Sequence, residues 1–394
     1  MRIRQFLNGL ETPLMQASAN LALCGALCAI SGAAAAQSSV TMYGIIDTGI
    51  EYVSHANAAG KSLLRMPGVT GELPSRWGLR GSEDLGGGYS AVFTLESGFN
   101  VRAGDSGQGG RLFGRQAFVG IKSPYGTLSF GRQYTMTYLA LMGADLIGPD
   151  IYGLGSFDAY VPNARADNSV TYLGNYAGVT LGANYSFGRD STGTGNSPGQ
   201  GTCTGSVAGR PTECREWSLM LKYDTPLFGV AASYEEQRGG SNAAANFFDG
   251  VAPTPLADAA DKDIRTHVSA YANLGSKAKL GLGWLNRRVQ PLAASLAGVR
   301  TNLFFVGASY FVTPAFIVDG EVYHIDNPQH DTRATMGTLR GTYLLSKRTA
   351  VYAQASYLGN SAKARYSVSG GGGGTTPAAG VGQTGVMLGM RHSF

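Results

Sequence analysis

Hydrophobic and polar residues alternate along most of this chain with a period of two. Between residues 40 and 53, Val40, Met42, Ile46, Ile50 and Tyr52 share one parity, while Thr41, Tyr43, Asp47 and Glu51 share the other. Such a segment builds a strand with one apolar face and one polar, charge-bearing face. The rhythm returns in residues 179–187, 216–223, 316–323 and 351–357. It also closes the chain, where Val386, Leu388, Met390, His392 and Phe394 fall together. About sixteen segments of this kind can be counted, each of about nine or more residues, long enough for a tilted strand to cross a bilayer.

The connections take turns between short and long. Short ones lie at 84–88, 123–126, 175–178, 224–228, 275–277, 313–314 and 346–348; long ones lie at 54–74, 100–110, 134–165, 189–214, 239–262, 290–300, 327–331 and 360–380. That order predicts an up-and-down antiparallel sheet with one plain end and one decorated end. In a bilayer every backbone polar group needs a partner, so the sheet has to close on itself. An even strand number, apolar-out and polar-in alternation, and loops of two lengths predict an all-β antiparallel transmembrane β-barrel. A barrel of this size encloses an aqueous lumen. The competing fold is a soluble propeller or sandwich. It requires a polar outer face, whereas these strands repeat Val, Leu, Ala, Phe and Tyr.

The stretch from Tyr134 to Arg165 breaks the pattern. Glycines, Pro149, Pro162, Asp145, Asp150 and Asp158 interrupt it too often for a strand or a long helix. A loop of about 30 residues inside a compact domain is functional or disordered. This one keeps Leu, Ile, Met, Phe and four tyrosines, too apolar for a disordered linker. It is expected to sit inside the barrel as a constriction loop spanning 134–164.

The first 36 residues read as a cleaved secretory signal, with Arg2 and Arg4, an apolar stretch at 21–30 and small residues at 34–36. The apolar stretch is roughly ten residues, short of the roughly twenty that span a bilayer. The mature domain is then 37–394. Without Arg2, Arg4 and Glu11 the net charge falls from +5 to about +4, too mild and too scattered for nucleic acid. Cys203 and Cys214 remain in an exported, Gly/Ser/Thr-rich segment, which favours a local disulfide. Glycine accounts for 58 of 394 residues and charged residues for 14%. No second long apolar stretch exists, which excludes a helical membrane protein.

Catalytic and metal signatures are weak. Residues 195–199 (GNSPG) match a nucleophile motif formally, but the strand–elbow–helix context is missing. The histidines at 55, 267, 324, 330 and 392 lie far apart, so no metal or cofactor is implied.

Several stretches resemble the general porins of β-proteobacteria, typified by those of Neisseria, Bordetella and Burkholderia. They are 38–52 (SSVTMYGIIDTGIEY), 75–99 (SRWGLRGSEDLGGGYSAVFTLESGF), 111–120 (RLFGRQAFVG), 125–134 (YGTLSFGRQY), 165–172 (RADNSVTY), 344–352 (LLSKRTAVY) and 383–394 (QTGVMLGMRHSF). The resemblance implies a sixteen-stranded, homotrimeric outer-membrane barrel that lets small hydrophilic solutes and ions diffuse passively. It also implies that the third long loop folds inward and narrows the lumen. The stretch after Tyr172, LGNYAG, departs from that family's usual turn.

The pore needs wall charges at its narrowest point. Parity turns Arg76 and Arg80 inward, since Trp77 and Leu79 face lipid. Arg165 stands where the loop rejoins the wall. Arg115 has an ambiguous parity. The resemblance favours Arg76 and Arg165 as constriction residues, with Asp145, Asp150 and Asp158 of the loop opposite them. An arrangement of that kind biases a pore toward anions. The plainer reading is that these arginines anchor the loop. Asp47, Glu51, Glu96, Glu321, Lys222, Arg340 and Arg391 also fall on inward parity and read as paired wall residues. A channel specific for sugars or a phosphate-like anion is the alternative, followed by a surface adhesin. The outward faces near both termini are the candidate trimer contacts.

Overall fold

A computed structural model describes residues 39–394 except 69, 191–202, 204 and 371–372. The expected signal segment and the GNSPG motif lie outside the described residues. The first eight long strands are β1 (Ser39–Val53), β2 (Arg76–Gly86), β3 (Tyr89–Gly98), β4 (Gln116–Ser123), β5 (Gly126–Tyr134), β6 (Arg165–Tyr176), β7 (Val179–Ser186) and β8 (Glu216–Asp224). The second eight are β9 (Phe228–Arg238), β10 (Lys262–Leu274), β11 (Ala278–Gln290), β12 (Val299–Thr313), β13 (Phe316–Asn327), β14 (Thr332–Leu344), β15 (Thr349–Asn360) and β16 (Gln383–Ser393). Each pairs antiparallel with its neighbour in sequence. β16 returns to β1, with Ile45 opposite Ser393 and Val53 opposite Gly385. The sheet is a closed barrel of sixteen strands, and closure leaves no edge with unpaired backbone. No helix among the described residues is long and apolar enough to cross a membrane.

The alternation read from the sequence becomes two faces. Val40, Met42, Ile50, Leu219, Leu282, Val306, Leu339 and Leu388 all stand exposed on the outside, where only hydrocarbon removes them from water. At the end with the short turns the outer face is aromatic: Tyr89, Tyr125, Tyr223, Phe228, Tyr310, Tyr343 and Phe394 are exposed there. Rings with an apolar body and a polar rim settle at a membrane–water interface. The LGNYAG segment closes as a tight hairpin. Ala177 (φ 51°) and Gly178 (φ 87°) both take positive φ, which matches a primed turn to the strand twist. A Cβ on Gly178 would lie 2.8 Å from the Asp224 carbonyl oxygen.

The inner face is less uniformly polar than alternation alone implies. Leu285, Leu303, Phe305, Tyr323, Ile325, Met336, Leu358 and Met387 are buried on inward positions of β11–β16. They form one apolar cluster with Ile151, Leu154, Phe157 and Val161 of the 134–165 segment. Each such side chain removed from water contributes roughly 1.5–3 kcal/mol. The apolar residues that make this segment unlike a linker are therefore matched by an apolar patch on the wall.

Candidate functional site in the barrel lumen

The segment between β5 and β6 is built from short pieces. Thr135 leads into helix α1 (Met136–Leu141), and two short 3-10 turns follow at Leu154–Ser156 and Val161–Asn163. Its three aspartates each hold a bend. Asp145 Oδ1 accepts the Gly148 N–H at 2.9 Å, Asp150 Oδ1 the Tyr152 N–H at 2.9 Å, and Asp158 Oδ1 the Tyr160 N–H at 3.0 Å. Short polar side chains compete with regular backbone bonding in this way, and that is why they interrupt the helix.

The second oxygen of two of these aspartates reaches an arginine on the wall. Asp150 Oδ2 lies 3.1 Å from Arg340 Nη1 of β14, and Asp158 Oδ2 lies 2.9 Å from Arg265 Nε of β10. Arg340 also donates to Asp319 of β13 at 2.9 Å and to the Ile147 carbonyl at 3.0 Å. Among the described residues no arginine lies within ion-pair distance of Asp145. Instead its carboxyl is hydrogen-bonded to that of Glu321 on β13. Glu321 Oε2 accepts the Leu146 and Ile147 N–H groups at 3.0 and 2.8 Å. Burial pushes the Asp145 carboxyl up to about 6, against the pull of the Gly148 N–H and Arg340. Further contacts run to β8, β9 and β14: Tyr160 to Glu216 at 2.6 Å, Thr135 to Glu235 at 2.8 Å, and Thr338 to the Tyr152 carbonyl at 2.7 Å.

The arginines expected opposite these acids gather elsewhere. On the side formed by β2–β6, Arg115 Nε lies 2.7 Å from Glu96 Oε1, and Arg76 Nε lies 3.6 Å from Glu96 Oε2. Tyr43 donates to the same carboxylate at 3.0 Å. Arg115 and Arg165 both donate to the Tyr134 hydroxyl, at 2.6 and 3.0 Å. The Arg165 guanidinium also packs over the Tyr134 ring, 4.6 Å from its centre. Three guanidinium groups thus surround one carboxylate and one phenol. Arg165 is fully buried, Arg115 nearly so, and Arg76 keeps 22% of its side chain exposed. Arg80 is exposed and lies 5.3 Å from the Tyr43 ring centre.

The structure therefore brings Arg76, Arg115 and Arg165 together, and binds Asp150 and Asp158 to other arginines. Sequence reasoning placed Arg340 on the inner wall without its loop partner, and missed Arg265 and Arg287. Arg287 pairs with Asp263 at 2.7 Å and approaches Asp158 at 4.0 Å. Inward parity within residues 262–290 was the signal that could have found them. Acids dominate the opposite side, where Asp47, Glu72, Asp319 and Glu321 accompany Arg340 and Arg391. Cys203 and Cys214 are bonded, with Cα atoms 5.7 Å apart, against Ala243, Ala245 and Leu256 of the outer loops. No cluster of metal-ligating side chains exists among the described residues.

A closed barrel of sixteen amphipathic strands with a charged interior defines an outer-membrane channel protein. More narrowly, this chain belongs to the Gram-negative porin family, which it matches over residues 21–363. It is 33% identical to an outer membrane porin protein of Bordetella pertussis, covering 93% of this chain and 97% of that one. It is 32% identical to outer membrane porin protein 32 of Delftia acidovorans, covering 94% and 98%. Among solved structures it is similar to an anion-selective porin from Comamonas acidovorans, with a TM-score of 0.72 and 28% identity over 91% of this chain and all of that one. As a member of this family it sits in the outer membrane and forms a diffusion channel.

Proposed function

We propose that the 134–164 segment narrows the channel and that Arg76, with Arg115 and Arg165 behind it, gives the pore a weak preference for anions. The carrying observation is the unequal pairing of charge. Arg76 and Arg115 share the single Glu96 carboxylate, while Asp150 and Asp158 are each matched by a wall arginine. Asp150 and Asp158 then contribute little net negative potential along the path of an ion, and the arginine side keeps a positive excess. A fixed excess of one sign in a water-filled constriction raises the local concentration of the opposite ion. The likeness to an anion-selective porin supports the same reading. The working unit is a homotrimer, each chain carrying its own pore for ions and small hydrophilic solutes.

Planar-bilayer recording tests these statements together. The expected trace has three equal current steps per insertion, and under a salt gradient a reversal potential of the sign set by anions. A clear cation preference would overturn the selectivity reading. Saturable block by one solute class would replace a general pore with a substrate-specific one.

A further inference from the structure

The arginines around Glu96 are held differently from those across the lumen. Arg340 meets Asp150 and Asp319, Arg265 meets Asp158, and Arg287 meets Asp263, each through a carboxylate. In the Glu96 cluster the carboxylate reaches Arg76 and Arg115, and other donors go to uncharged oxygen. Arg76 Nη1 donates to the Pro74 carbonyl at 3.0 Å and Arg165 Nη1 to the Asn163 carbonyl at 3.2 Å. Arg115 Nη2 and Arg165 Nη2 converge on the Tyr134 hydroxyl at 2.6 and 3.0 Å.

Tyr134 is built into this position. It ends β5 directly opposite Arg165 in the ladder. The Arg165 guanidinium lies over its ring, and Tyr138 of α1 stacks on it with centres 3.9 Å apart and planes 12° from parallel. A phenol oxygen accepts through its lone pairs and donates one O–H. Here it accepts from two guanidinium groups and is hydrogen-bonded to the Tyr138 hydroxyl. The other charged and titratable groups that face it are Arg76 of β2 and Glu96 of β3, with Tyr43 of β1 behind Glu96. Arg132 of β5 is committed to Asp167 at 2.5 Å.

A carboxylate in place of this phenol would hold the same two arginines and cancel one of their charges. A neutral acceptor holds them and cancels none. We propose that Tyr134 is the selectivity-positioning residue of the pore: its uncharged phenol gathers Arg115 and Arg165 behind Arg76 and leaves the charge of both intact. The inference rests on the anion preference argued above and names the group that maintains it. Three arginines against Glu96 leave an excess of two positive charges. Ionising this one phenol places a negative charge among them and halves that excess.

Reversal potentials under a salt gradient, recorded from about pH 7 to about pH 11, test this in wild type, Y134F, Y43F and Y138F. Phenols ionise at about pH 10. Across that range the wild type is expected to lose anion preference by about twofold to fourfold, the effect of one charge beside the ion path. Y43F and Y138F are expected to lose it equally, and Y134F to lose less by that factor. Lysines titrate in the same range but act alike in all four proteins, so the difference between wild type and Y134F carries the result. A second arm needs no substitution at residue 134. In wild type made with fluorinated tyrosine, whose phenols are more acidic, the fall is expected at lower pH. An equal alkaline fall in Y134F, or a fall that fluorination does not move, overturns the proposal. Cation preference of the wild type at pH 7 overturns the selectivity reading instead, and an alkaline shift absent from Y134F would still uphold the part given to Tyr134.

Discussion

Asp158 Oδ2 lies 2.9 Å from Arg265 Nε although 107 residues separate the two in the chain. Asp150 and Arg340 repeat the arrangement at 3.1 Å across 190 residues. In both, the remaining carboxylate oxygen accepts the N–H two residues further on. One side chain thus shapes a bend in the loop and fastens that bend to the wall.

The first prediction concerns the strength of this fastening. In R265Q, Asp158 stays buried with Arg287 only at 4.0 Å. Removing one partner of a buried ion pair costs about 3–5 kcal/mol. That loss is local, because the strands around Arg265 keep their ladder bonds. The expected outcome is a barrel that still folds, with exchange at the Tyr160 amide faster by about a hundredfold to a few thousandfold. An unchanged exchange rate there would show that the apolar patch, not the ion pair, holds the loop.

Selectivity provides the second. R76Q removes the most exposed of the three clustered arginines and leaves the Arg115–Glu96 pair intact. One charge about 5 Å from an ion path in water changes relative permeability by about twofold to fourfold. The reversal potential of R76Q is therefore expected to move toward cations by that amount. D150N is expected to move it less, and in the opposite direction, because Arg340 retains Asp319. A larger shift for D150N than for R76Q would put the loop acids in control.

A pH dependence follows from Asp145. Its carboxyl is raised in the folded state, from the ordinary value near 3.8 to about 6. A raised acid favours the protonated docked form, so this contribution is full below about 4 and lost as pH rises through 6. The amides of Leu146 and Ile147, which donate to Glu321, are expected to exchange more readily at pH 7.5 than at pH 4.5 once intrinsic rates are removed. D145N is expected to flatten that difference. A pH effect that persists unchanged in D145N would locate the titrating group elsewhere.

Much of this structure was legible in the chain, for identifiable reasons. Residues 40–53 announce their two faces because the outward positions Val40, Met42, Ile46, Ile50 and Tyr52 are apolar, and in β1 these five stand exposed while Asp47 and Glu51 are buried. Arg76 and Arg80 were placed on the inner face by the same rule. Parity sets a face but not a partner, so it could not reveal that Asp158 meets Arg265 rather than Arg165. Arg115 precedes the first residue of β4, outside the regular alternation, which is why its direction could not be read. Leu285, Leu303 and Phe305 hid for a different reason. Apolar residues on the inner face look like breaks in a pattern until Ile151 and Phe157 are seen to cover them.

The seam where the barrel closes offers the last prediction. Gly44 and Phe394 exchange two backbone hydrogen bonds, each 3.1 Å long. A Cβ on Gly44 would lie 2.3 Å from the tip of the Phe394 ring and 2.8 Å from the Arg76 carbonyl oxygen. No real pair of carbons approaches that closely, so in G44A the ring has to swing away and the seam shifts. Overpacking of this kind costs about 1–3 kcal/mol, and the midpoint of heat unfolding in detergent is expected to fall accordingly. F394A removes the ring and most of the clash, though not the contact with the Arg76 carbonyl. The double variant G44A/F394A is therefore expected to be less destabilised than the sum of its parts. Strict additivity in that cycle would mean the ring does not rest on Gly44 in solution.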